Sequence, residues 1–577
     1  MSMLHRHVNL KRVSSRIDSV GALAIIGLGV VLRLILLGQS WPVNDSDEST
    51  MGLMALHIAY RGEHPIFMYG QNYMGSLEPF FGAALFRLFG PSLFTLRLAL
   101  LALFVLFLVS LYRLTCLLYT KKLALASLIL LSLGSTDMLI RELKADGGVA
   151  ETLVCGTLLL LLASRLALTA DQPLLESRQR WRRALLYGGW GLTAGVGLWS
   201  DLLVGPFVLA SGLLLLLFCW REWRTRAPRC LLPGLLLGAF PLITYNITAA
   251  PGQDSLSVLF QIHGGSGLPF SLGQQIMNAV QISLPTITGI SPSCHFTASP
   301  PITFLSAHPL LCTLYYTGWG MGVIVLWLLA VGLTGMTLWK VWRGTPKRQW
   351  SHEERHTVIR QCARLALLGS VGLTLFLYIL SPAAAHWPVT DARYLTGLLV
   401  AMPACISPLW PGPGKLPARV IRVVTSFQAA TLLFIALAYL AGTVSIFHTL
   451  PATQAEERRQ EALIHNLLLV GATHIYSDYW TCNRLIFESN EQIICDAIDG
   501  NLRPGMERYL PYRTIVQGDP RAAYVLLTGS PEAMAFAQRG GRPGILYQHV
   551  SFDGYEIYQP TRPQARSPGA TAPSRTR

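Results

Sequence analysis

Eleven long apolar segments constrain this chain more than any other feature of its sequence. A helix needs about 20 apolar residues to cross the hydrocarbon core of a bilayer. The composition agrees, because 51% of the 577 residues are hydrophobic and only 13% are charged, whereas soluble domains carry about 25% charged residues. We therefore predict an all-α polytopic membrane protein with about 11 transmembrane helices. The segments lie at about 20–38, 92–118, 123–140, 148–168, 184–200, 202–220, 230–246, 312–339, 365–381, 394–411 and 423–447.

The lysines and arginines between these segments predict the orientation. With a cytoplasmic N-terminus, 26 of them lie on or beside cytoplasmic segments, and up to residue 450 the opposite side holds five. Positive charge of this kind stays in the cytoplasm, so we predict a plasma-membrane protein whose odd number of spans leaves the C-terminus outside. The tail after residue 450 has 13 basic and 13 acidic residues, so the net charge of +15 belongs to the membrane part and requires no nucleic acid partner.

The chain changes character after residue 450. Short apolar runs at 474–477, 492–495, 523–527 and 555–558 are punctuated by Gly, Pro, Asn and Asp, which is typical of strands in a small α/β domain. We therefore predict a transmembrane domain at 1–450 with its first outer loop at 39–91. An extracytoplasmic α/β domain follows at 451–562, and 563–577 is predicted to be a disordered tail.

Four of the ten cysteines fall outside in two locally spaced pairs. An oxidising exterior favours disulfides, so we predict Cys482–Cys495 and Cys294–Cys312. Their spacing matches no zinc motif, so we predict no metal at these cysteines.

Acidic residues gather at the predicted outer surface, beginning directly after the first span. Clustered carboxylates at a membrane surface indicate general-base or cation chemistry on a lipid-borne substrate, and ionisable groups at spanning depth often mark function. The alternative is that each acid caps a helix end or pairs with a cation. The residues concerned are Asp45, Asp47, Glu48, Glu78, Asp146 and Glu151, with Lys144 and Arg393 as nearby cations.

At these positions the chain resembles the membrane-integral GT-C glycosyltransferases, in particular the branch of protein O-mannosyltransferases and lipid A aminoarabinose transferases. The resemblance covers roughly residues 20–410 and depends on the order and sidedness of several short motifs. They are Asp47-Glu48, Glu78-Pro79, Phe89-Gly90 with Arg97-Leu98, the segment from Arg141 to Asp146, and Arg393-Tyr394-Leu395. The basic residue that often follows the second acid of this branch is Pro79 here.

The resemblance implies transfer of a hexosyl or pentosyl group from a polyprenyl-phosphate donor at the outer face, with inversion. Asp47 is then the general base, and Asp45 and Glu48 lie beside it. In the wider superfamily a divalent metal can be shared by acids such as Asp45 and Asp47, but the resembled branch does not depend on one, so we predict no metal and no cofactor. The acceptor is a lipid, a glycan or a protein. The residues expected to orient or bind the substrates are Glu78, Asp146, Glu151, Tyr69 and Tyr73, with the donor phosphate falling to Arg393, Lys144 or Arg97.

Two other classes share much of this pattern. A transporter or flippase of a lipid-linked sugar would have the same hydrophobicity, but transporters usually place charges near the midplane and show repeated halves. No repeat is visible here, and the acids crowd one surface. A non-enzymatic membrane scaffold is the third class, and it predicts that the acids are dispensable.

Overall fold

The computed structural model describes residues 2–170, 177–264, 270–289, 310–344, 350–410 and 417–561. The chain forms two compact units. We call them the membrane unit, residues 1–42 and 54–454, and the α/β unit, residues 43–53 with 455 onward. The segment 43–53 clusters with the α/β unit, and the units divide again at 454/455. The transmembrane domain at 1–450 and the extracytoplasmic domain at 451–562 stay predictions.

Helices fill the membrane unit. Their bounds are Ser2–Gly38, Ser46–Arg61, Leu77–Phe89, Leu93–Leu118, Lys121–Ser132, Thr136–Leu143, Val149–Leu168, Ser177–Ser200, Gly205–Cys219, Leu231–Gly238, Phe240–Thr248, Ser255–Gly264, Leu272–Asn278, Leu284–Thr288, Leu310–Gly344, His352–Leu380, Ala383–His386, Met402–Ile406 and Ala418–Leu469. Short 3-10 segments complete them at Leu202–Val204, Trp220–Arg224, Ala227–Cys230, Thr390–Ala401 and Ser407–Leu409, with a π-helical turn at Ala279–Ser283.

Eight helices of the described ranges are long and apolar enough to cross a membrane, or ten if two bent pairs each count as one span. These ten coincide with ten of the eleven predicted segments. The eleventh, 184–200, lies in the helix Ser177–Ser200, which did not meet the same criterion of length and composition. Glycines let this helix approach Leu231–Gly238 closely, since a Cβ on Gly191 would lie 2.1 Å from the carbonyl oxygen of Leu231. Small residues at helix contacts are typical of membrane proteins.

The predicted span 123–140 is not one straight helix. Lys121–Ser132 and Thr136–Leu143 meet at an angle of 86°. Gly134 lies at the break with φ +159°, and Ser135 starts the second helix by accepting a hydrogen bond from the Met138 N–H. Hydropathy alone does not reveal such a bend, because both halves are apolar.

A buried ion pair joins the first span to this bent pair. The Arg33 side chain is fully buried and donates through Nε to Glu142 Oε2 at 3.1 Å and through Nη1 to the Ser132 carbonyl at 2.9 Å. Its guanidinium also lies 3.8 Å from the centre of the Phe104 ring. A charge buried among membrane helices needs such partners because water is absent there.

The α/β unit contains five strands: β1 His474–Ser477, β2 Ile494–Ala497, β3 Ala523–Leu527, β4 Tyr547–Phe552 and β5 Tyr555–Pro560. They form one sheet in the order β2-β1-β3-β5-β4. β1 pairs in parallel with β2 and β3, while β5 pairs antiparallel with β3 and β4. The helices that connect the strands are Tyr479–Glu488, Leu510–Gly518 and Pro531–Arg539.

The sheet compares closely with the predicted strands. β1 and β3 have the predicted bounds, β2 begins two residues later than predicted, and β5 extends the last predicted strand. β4 was missed because it is an edge strand with exposed residues in its middle and lacks apolar alternation. Cys482 and Cys495 form a disulfide with their Cα atoms 5.3 Å apart. Cys294 lies outside the described residues, so its pairing with Cys312 stays a prediction, and residues 562–577 of the predicted tail lie outside them too.

Candidate functional site

Asp47 lies in the first turn of the helix Ser46–Arg61 and contacts two residues from the far end of the chain. Its Oδ1 accepts a hydrogen bond from Arg508 Nη2 at 2.8 Å and another from the Tyr479 hydroxyl at 2.5 Å. Arg508 Nε in turn donates to the Tyr479 oxygen at 2.8 Å. We call Asp47, Tyr479 and Arg508 the Asp47 cluster. Each member contacts the other two, so the carboxylate is held from two directions.

The two carboxylate oxygens of Asp47 differ in their surroundings. Both hydrogen bonds of the cluster fall on Oδ1, and no group within the described ranges donates to Oδ2. The Asp47 side chain is 20% exposed, whereas that of Arg508 is 4% exposed. One oxygen therefore anchors the side chain, while the other is left for a group that arrives from outside.

The sheet explains why Tyr479 and Arg508 meet. Tyr479 begins the helix that follows β1, and Asp478 caps that helix by accepting from the backbone N–H groups of Trp480 and Thr481. Arg508 lies in the connection that leaves β2 and leads to the helix Leu510–Gly518. Both residues thus follow the carboxyl ends of parallel strands, the edge at which open α/β sheets usually bind ligands.

Polar contacts fix the segment 43–53 on the helix Tyr479–Glu488. Ser46 Oγ donates to the Tyr479 carbonyl at 2.7 Å and accepts from Asn483 Nδ2 at 2.7 Å. Asn44 Nδ2 donates to Glu488 Oε1 at 2.6 Å. The side chains of Asn44, Ser46 and Asn483 are buried. Their contacts place Asp47 at the N-terminal end of the helix Tyr479–Glu488, in addition to the hydrogen bonds that the Asp47 side chain makes itself.

Burial and charge shift two members of the Asp47 cluster. Burial raises the pKa of the Tyr479 hydroxyl, and the negative Asp47 beside it acts in the same direction against Arg508. For Arg508, burial opposes the charge, but Tyr479 and Asp47 more than offset it and the pKa is raised. Arg508 therefore stays a cation and Tyr479 stays a hydrogen-bond donor throughout the physiological range.

The other two acids of the first loop have different surroundings. Asp45 Oδ1 accepts from the Glu48 backbone N–H at 3.0 Å, as a helix cap does. Glu48 has no solvent-exposed surface. The Asp47 side chain is 20% exposed and forms an ion pair with Arg508, and we therefore take it as the first candidate among the three predicted catalytic acids.

A second acidic group lies in the membrane unit. Glu78, in the first turn of the helix Leu77–Phe89, accepts from the Gly147 N–H through Oε2 at 3.1 Å. Glu78 and Glu151 are 2% and 1% exposed, and Glu78 Oε1 and both oxygens of Glu151 accept no hydrogen bond from a donor of the described residues. We call these two residues the Glu78 pair.

Burial and a neighbouring charge both act on Glu78. Burial raises the pKa of Glu78 well above its usual value, and the charge of Glu151 raises it further. Two carboxylates repel one another, whereas a carboxylic acid donates to a neighbouring carboxylate. The arrangement therefore favours one proton shared between the two groups.

The Glu78 pair borders a glycine turn. Gly147 and Gly148 have φ +80° and +74°, and a Cβ on Gly148 would lie 2.4 Å from Asp201 Oδ2. Asp201 also accepts from the Leu203 N–H at 2.8 Å, and burial raises its pKa to about 6. Glu78 and Asp201 thus both pack against the turn that starts the helix Val149–Leu168.

The predicted cations have unequal surroundings. Asp146 forms an ion pair with Arg141 at 2.5 Å, and its N–H donates to the Lys144 carbonyl at 2.9 Å. Arg393 makes one long hydrogen bond, 3.4 Å from Nη2 to the Tyr394 hydroxyl, and its buried Nε has no partner within the described chain. Arg97 is 1% exposed inside the helix Leu93–Leu118.

The predicted aromatic residues lie in the loop before Leu77. Tyr69 donates to Glu63 Oε2 at 2.6 Å and accepts from the buried His57 Nδ1 at 2.9 Å, so its hydroxyl is engaged within the protein. Tyr73 is half-buried in the same loop, where its N–H donates to the Gln71 carbonyl at 2.9 Å.

The membrane unit contains a partly open apolar pocket of about 290 Å³. Its walls come from several of the late helices, and they offer few polar atoms. The cavity could hold part of a hydrocarbon chain. Residues lining it include Trp319, Trp327, Phe376, Leu398, Met402 and Tyr439.

Within the described ranges, no three His, Cys, Asp or Glu side chains are grouped so as to hold a metal ion. The sequence analysis missed Tyr479 and Arg508. Tyr479 follows the predicted strand 474–477 at its carboxyl end, whereas Arg508 lies well beyond the predicted strand 492–495, and neither position gives a hint of contact with Asp47.

No family model and no curated protein matches this chain. Among solved structures it is similar to oligosaccharyltransferase AglB of Archaeoglobus fulgidus, at 14% identity over 95% of this chain and 75% of that one, with a TM-score of 0.42. It is also similar to ArnT of Cupriavidus metallidurans in the apo state, at 13% identity over 93% and 97% of the two chains, with a TM-score of 0.47. At this distance, function has to be argued from the residues of this chain.

Proposed function

We propose that this protein is a glycosyltransferase that moves a hexosyl or pentosyl group from a polyprenyl-phosphate donor to an acceptor hydroxyl. The observation that carries the proposal is the unequal hydrogen bonding of the two carboxylate oxygens of Asp47. Its Oδ1 is anchored by Arg508 and Tyr479, and its Oδ2 accepts no hydrogen bond from the described chain. A fixed carboxylate with one available oxygen is suited to general-base catalysis.

The reaction needs such a base. The acceptor hydroxyl attacks the anomeric carbon while the bond from that carbon to the phosphate oxygen breaks, and the electron pair leaves with the polyprenyl phosphate. The hydroxyl proton passes to Asp47 Oδ2. Attack from the face opposite the phosphate inverts the anomeric centre.

The donor has a charged end and an apolar end, and the membrane unit offers a candidate for each. Arg393 has a buried Nε without a described partner, and an arginine fork suits a phosphate better than a lysine does. The apolar cavity of about 290 Å³ is suited to isoprene units of the carrier. We assign the phosphate to Arg393, with Lys144 as the second cation, and leave Arg97 a packing role in its helix.

The remaining predicted residues then support the site. We propose that Glu78 and Asp146 shape the turn at Gly147–Gly148 instead of touching the reacting atoms, because Glu78 accepts from the Gly147 N–H and Asp146 pairs with Arg141. Glu151 is assigned to the same supporting group as the neighbour of Glu78. Tyr69 and Tyr73 are assigned to the loop that precedes Leu77. The acceptor remains a lipid, a glycan or a protein.

The reaction is proposed to take place outside the cytoplasm. The excess of lysine and arginine on one set of connections supports a cytoplasmic N-terminus in the plasma membrane, and Asp47 follows the first span Ser19–Gly38 directly. A reporter fused after residue 450 should read outside, and one inserted at 350–360 should read inside. A cytoplasmic signal from the first fusion would contradict this orientation.

A donor panel tests the activity. Purified protein is incubated in detergent with radiolabelled polyprenyl-phosphate sugars and a membrane extract that supplies acceptors. Release of free polyprenyl phosphate with label in a new product is expected for one donor, and this release should disappear in Asp47→Asn. In sealed vesicles, movement of the intact donor across the bilayer without release would identify a flippase instead.

A further inference from the structure

We propose that Arg508 is a positioning residue for Asp47, so that the α/β unit takes part in the catalytic step. The inference rests on the proposed function, in which Asp47 is the general base. Arg508 touches Asp47 Oδ1 and Tyr479, and neither contact involves the oxygen that would take the proton. Its action is therefore on the orientation of the carboxylate.

The geometry of the Asp47 cluster restricts the carboxylate in a specific way. Arg508 Nη2 and the Tyr479 hydroxyl reach the same oxygen from two directions, at 2.8 and 2.5 Å. Rotation about the bond to the carboxyl carbon would break both hydrogen bonds. Oδ2 is thereby held in one direction, as a base must be to meet an incoming hydroxyl within hydrogen-bond distance.

Arginine is required here because one side chain has to make two contacts at once. Nε meets the Tyr479 oxygen while Nη2 meets Asp47, which is the fixed fork that a guanidinium provides. A lysine ammonium would keep the charge but lacks this planar arrangement. The substitution Arg508→Lys thus separates the effect of charge from that of orientation.

The backbone beneath Arg508 is anchored to the sheet. Glu507 Oε2 accepts from the Ala497 N–H at 3.3 Å, and the Gly505 N–H donates to the Ala497 carbonyl at 2.8 Å. The connection after β2 thus folds back onto the end of the strand. A rigid scaffold of this kind holds a positioning side chain better than a free loop does.

The Asp47 cluster is less well explained as a contact that only attaches the segment 43–53 to the helix Tyr479–Glu488. Ser46 and Asn44 already attach the segment 43–53 to the helix Tyr479–Glu488. Gly52 adds a close packing contact, since a Cβ there would lie 2.5 Å from the Phe487 ring. The ion pair of Asp47 with Arg508 is additional to these contacts, which is expected if its purpose is to aim the carboxylate.

The test compares steady-state kinetics of full-length wild type, Arg508→Ala, Arg508→Lys and Tyr479→Phe with the donor found in the panel. We expect Arg508→Ala to lower kcat about 10- to 100-fold, since misplacing a catalytic group by about 1 Å costs about that much. The donor KM should change less than about threefold, and Arg508→Lys should fall between Arg508→Ala and wild type. Combining Arg508→Ala with Asp47→Asn should lower kcat no further than Asp47→Asn alone, because both changes act on one group.

Arg542→Ala is the matched control. Arg542 also contacts a tyrosine of the same unit, Tyr476, and donates to the Asp519 carbonyl at 2.9 Å, but it has no contact with Asp47. It should lower the thermal midpoint and leave kcat unchanged. If Arg508→Ala does not fold, Arg508→Gln and Arg508→Lys are measured in its place, with the thermal midpoint recorded for each variant.

The outcomes separate the two proposals. Transfer that depends on Asp47 but keeps wild-type kcat in Arg508→Ala would overturn the positioning role alone. An equal loss of kcat in Arg508→Ala and Arg542→Ala would also overturn it, by showing a general effect of destabilisation. Wild-type protein that releases no carrier phosphate from any donor would overturn the proposed function, and the role of Arg508 with it.

Discussion

Two groups of acids in this chain have opposite surroundings. In the Asp47 cluster, a carboxylate meets a guanidinium and a hydroxyl, both brought by the α/β unit. In the Glu78 pair, two carboxyl groups are buried side by side, and one backbone N–H is the described donor to Glu78. The first arrangement anchors one carboxylate oxygen and leaves the other without a described donor, whereas in the second burial and the charge of Glu151 raise the pKa of Glu78.

The difference shows that an Asp or Glu at a suitable place in the sequence is not by itself identified as the catalytic base. Asp47 and Glu78 are both acids in the first turn of a helix. What distinguishes them is the set of donors that the rest of the chain places around them. A carboxyl that keeps its proton is suited to hold a turn such as Gly147–Gly148, but it cannot accept the proton of a sugar acceptor.

The largest expected effect is that of Asp47→Asn. The amide keeps the size of the side chain and can still accept from Arg508 and Tyr479, but it has no useful proton affinity. We expect transfer to fall about 10²- to 10⁴-fold, which is the usual contribution of a general base. The measurement is the initial rate of polyprenyl phosphate release at saturating donor.

Glu78→Gln is the comparison for that variant. If Glu78 is a neutral acid that accepts from Gly147, glutamine replaces it with little change, and transfer should fall less than about tenfold. A larger loss in Glu78→Gln than in Asp47→Asn would reverse the roles of the two groups and move the base into the membrane unit.

The sequence predicted most of the helices and strands well, but it did not predict which distant residues contact one another. The spans follow from hydropathy, and β1 and β3 follow from short apolar runs between turn residues. The contacts of Asp47 join residues 432 and 461 positions apart in the chain. No local pattern carries such information, so Asp47 could be chosen from the sequence but Tyr479 and Arg508 could not.

The unit boundary shows the same limit. The segment 43–53 follows a membrane span, and its sequence therefore suggests the transmembrane domain. It belongs to the α/β unit because Ser46, Asn44 and Asp47 make specific polar contacts there. Hydropathy predicts which segments bury apolar surface, but it contains no information about side-chain hydrogen bonds of this kind.

Breaking the disulfide tests how far the Asp47 cluster depends on its scaffold. Cys482 lies on the helix that begins with Tyr479, and Cys495 lies on β2, after which Arg508 follows. A bond across 13 residues stabilises the folded chain by about 3 kcal/mol in the chain-entropy model. Cys482→Ser should lower the thermal midpoint of the α/β unit, as reductant should in wild type, whereas Cys362→Ser should not. Equal midpoints for Cys482→Ser and wild type would argue that the bond does not form.

A smaller effect is expected from Arg393, the cation assigned to the membrane unit. Hydrogen bonds to charged groups contribute about 1.5–3 kcal/mol, so Arg393→Ala should raise the donor KM about 10- to 100-fold. Arg393→Lys should weaken binding less, since it keeps the charge and loses the two-pronged contact. Kinetics with varied donor measure this, with the acceptor KM as internal control. A wild-type donor KM in Arg393→Ala would move the phosphate to Lys144 or Arg97.

The smallest expected effect concerns Glu488, which holds Asn44 at the opposite end of the helix from Tyr479. Burial raises its pKa to about 7, although Arg484 and Asn44 act against this shift. Below about pH 4 the carboxyl is protonated in both the folded and the unfolded chain. As the pH rises, the unfolded chain loses the proton first, so stability falls until the folded form has also lost it, near pH 7.

Glu488→Gln should remove that pH dependence while its Oε1 still accepts from Asn44. Relative to wild type, the variant should be more stable at pH 8 than at pH 5 by on the order of 2 kcal/mol. Thermal unfolding of the full-length protein at the two pH values measures this. Asp519→Asn is the control that should show no such difference, because the Arg521 N–H and His474 lower the pKa of Asp519 against the effect of burial. Its carboxyl is therefore ionised in both the folded and the unfolded chain at pH 5 and at pH 8. A Glu488→Gln variant that follows wild type at both pH values would show that the attachment of the segment 43–53 does not respond to pH, and would leave the Asp47 cluster equally well held throughout.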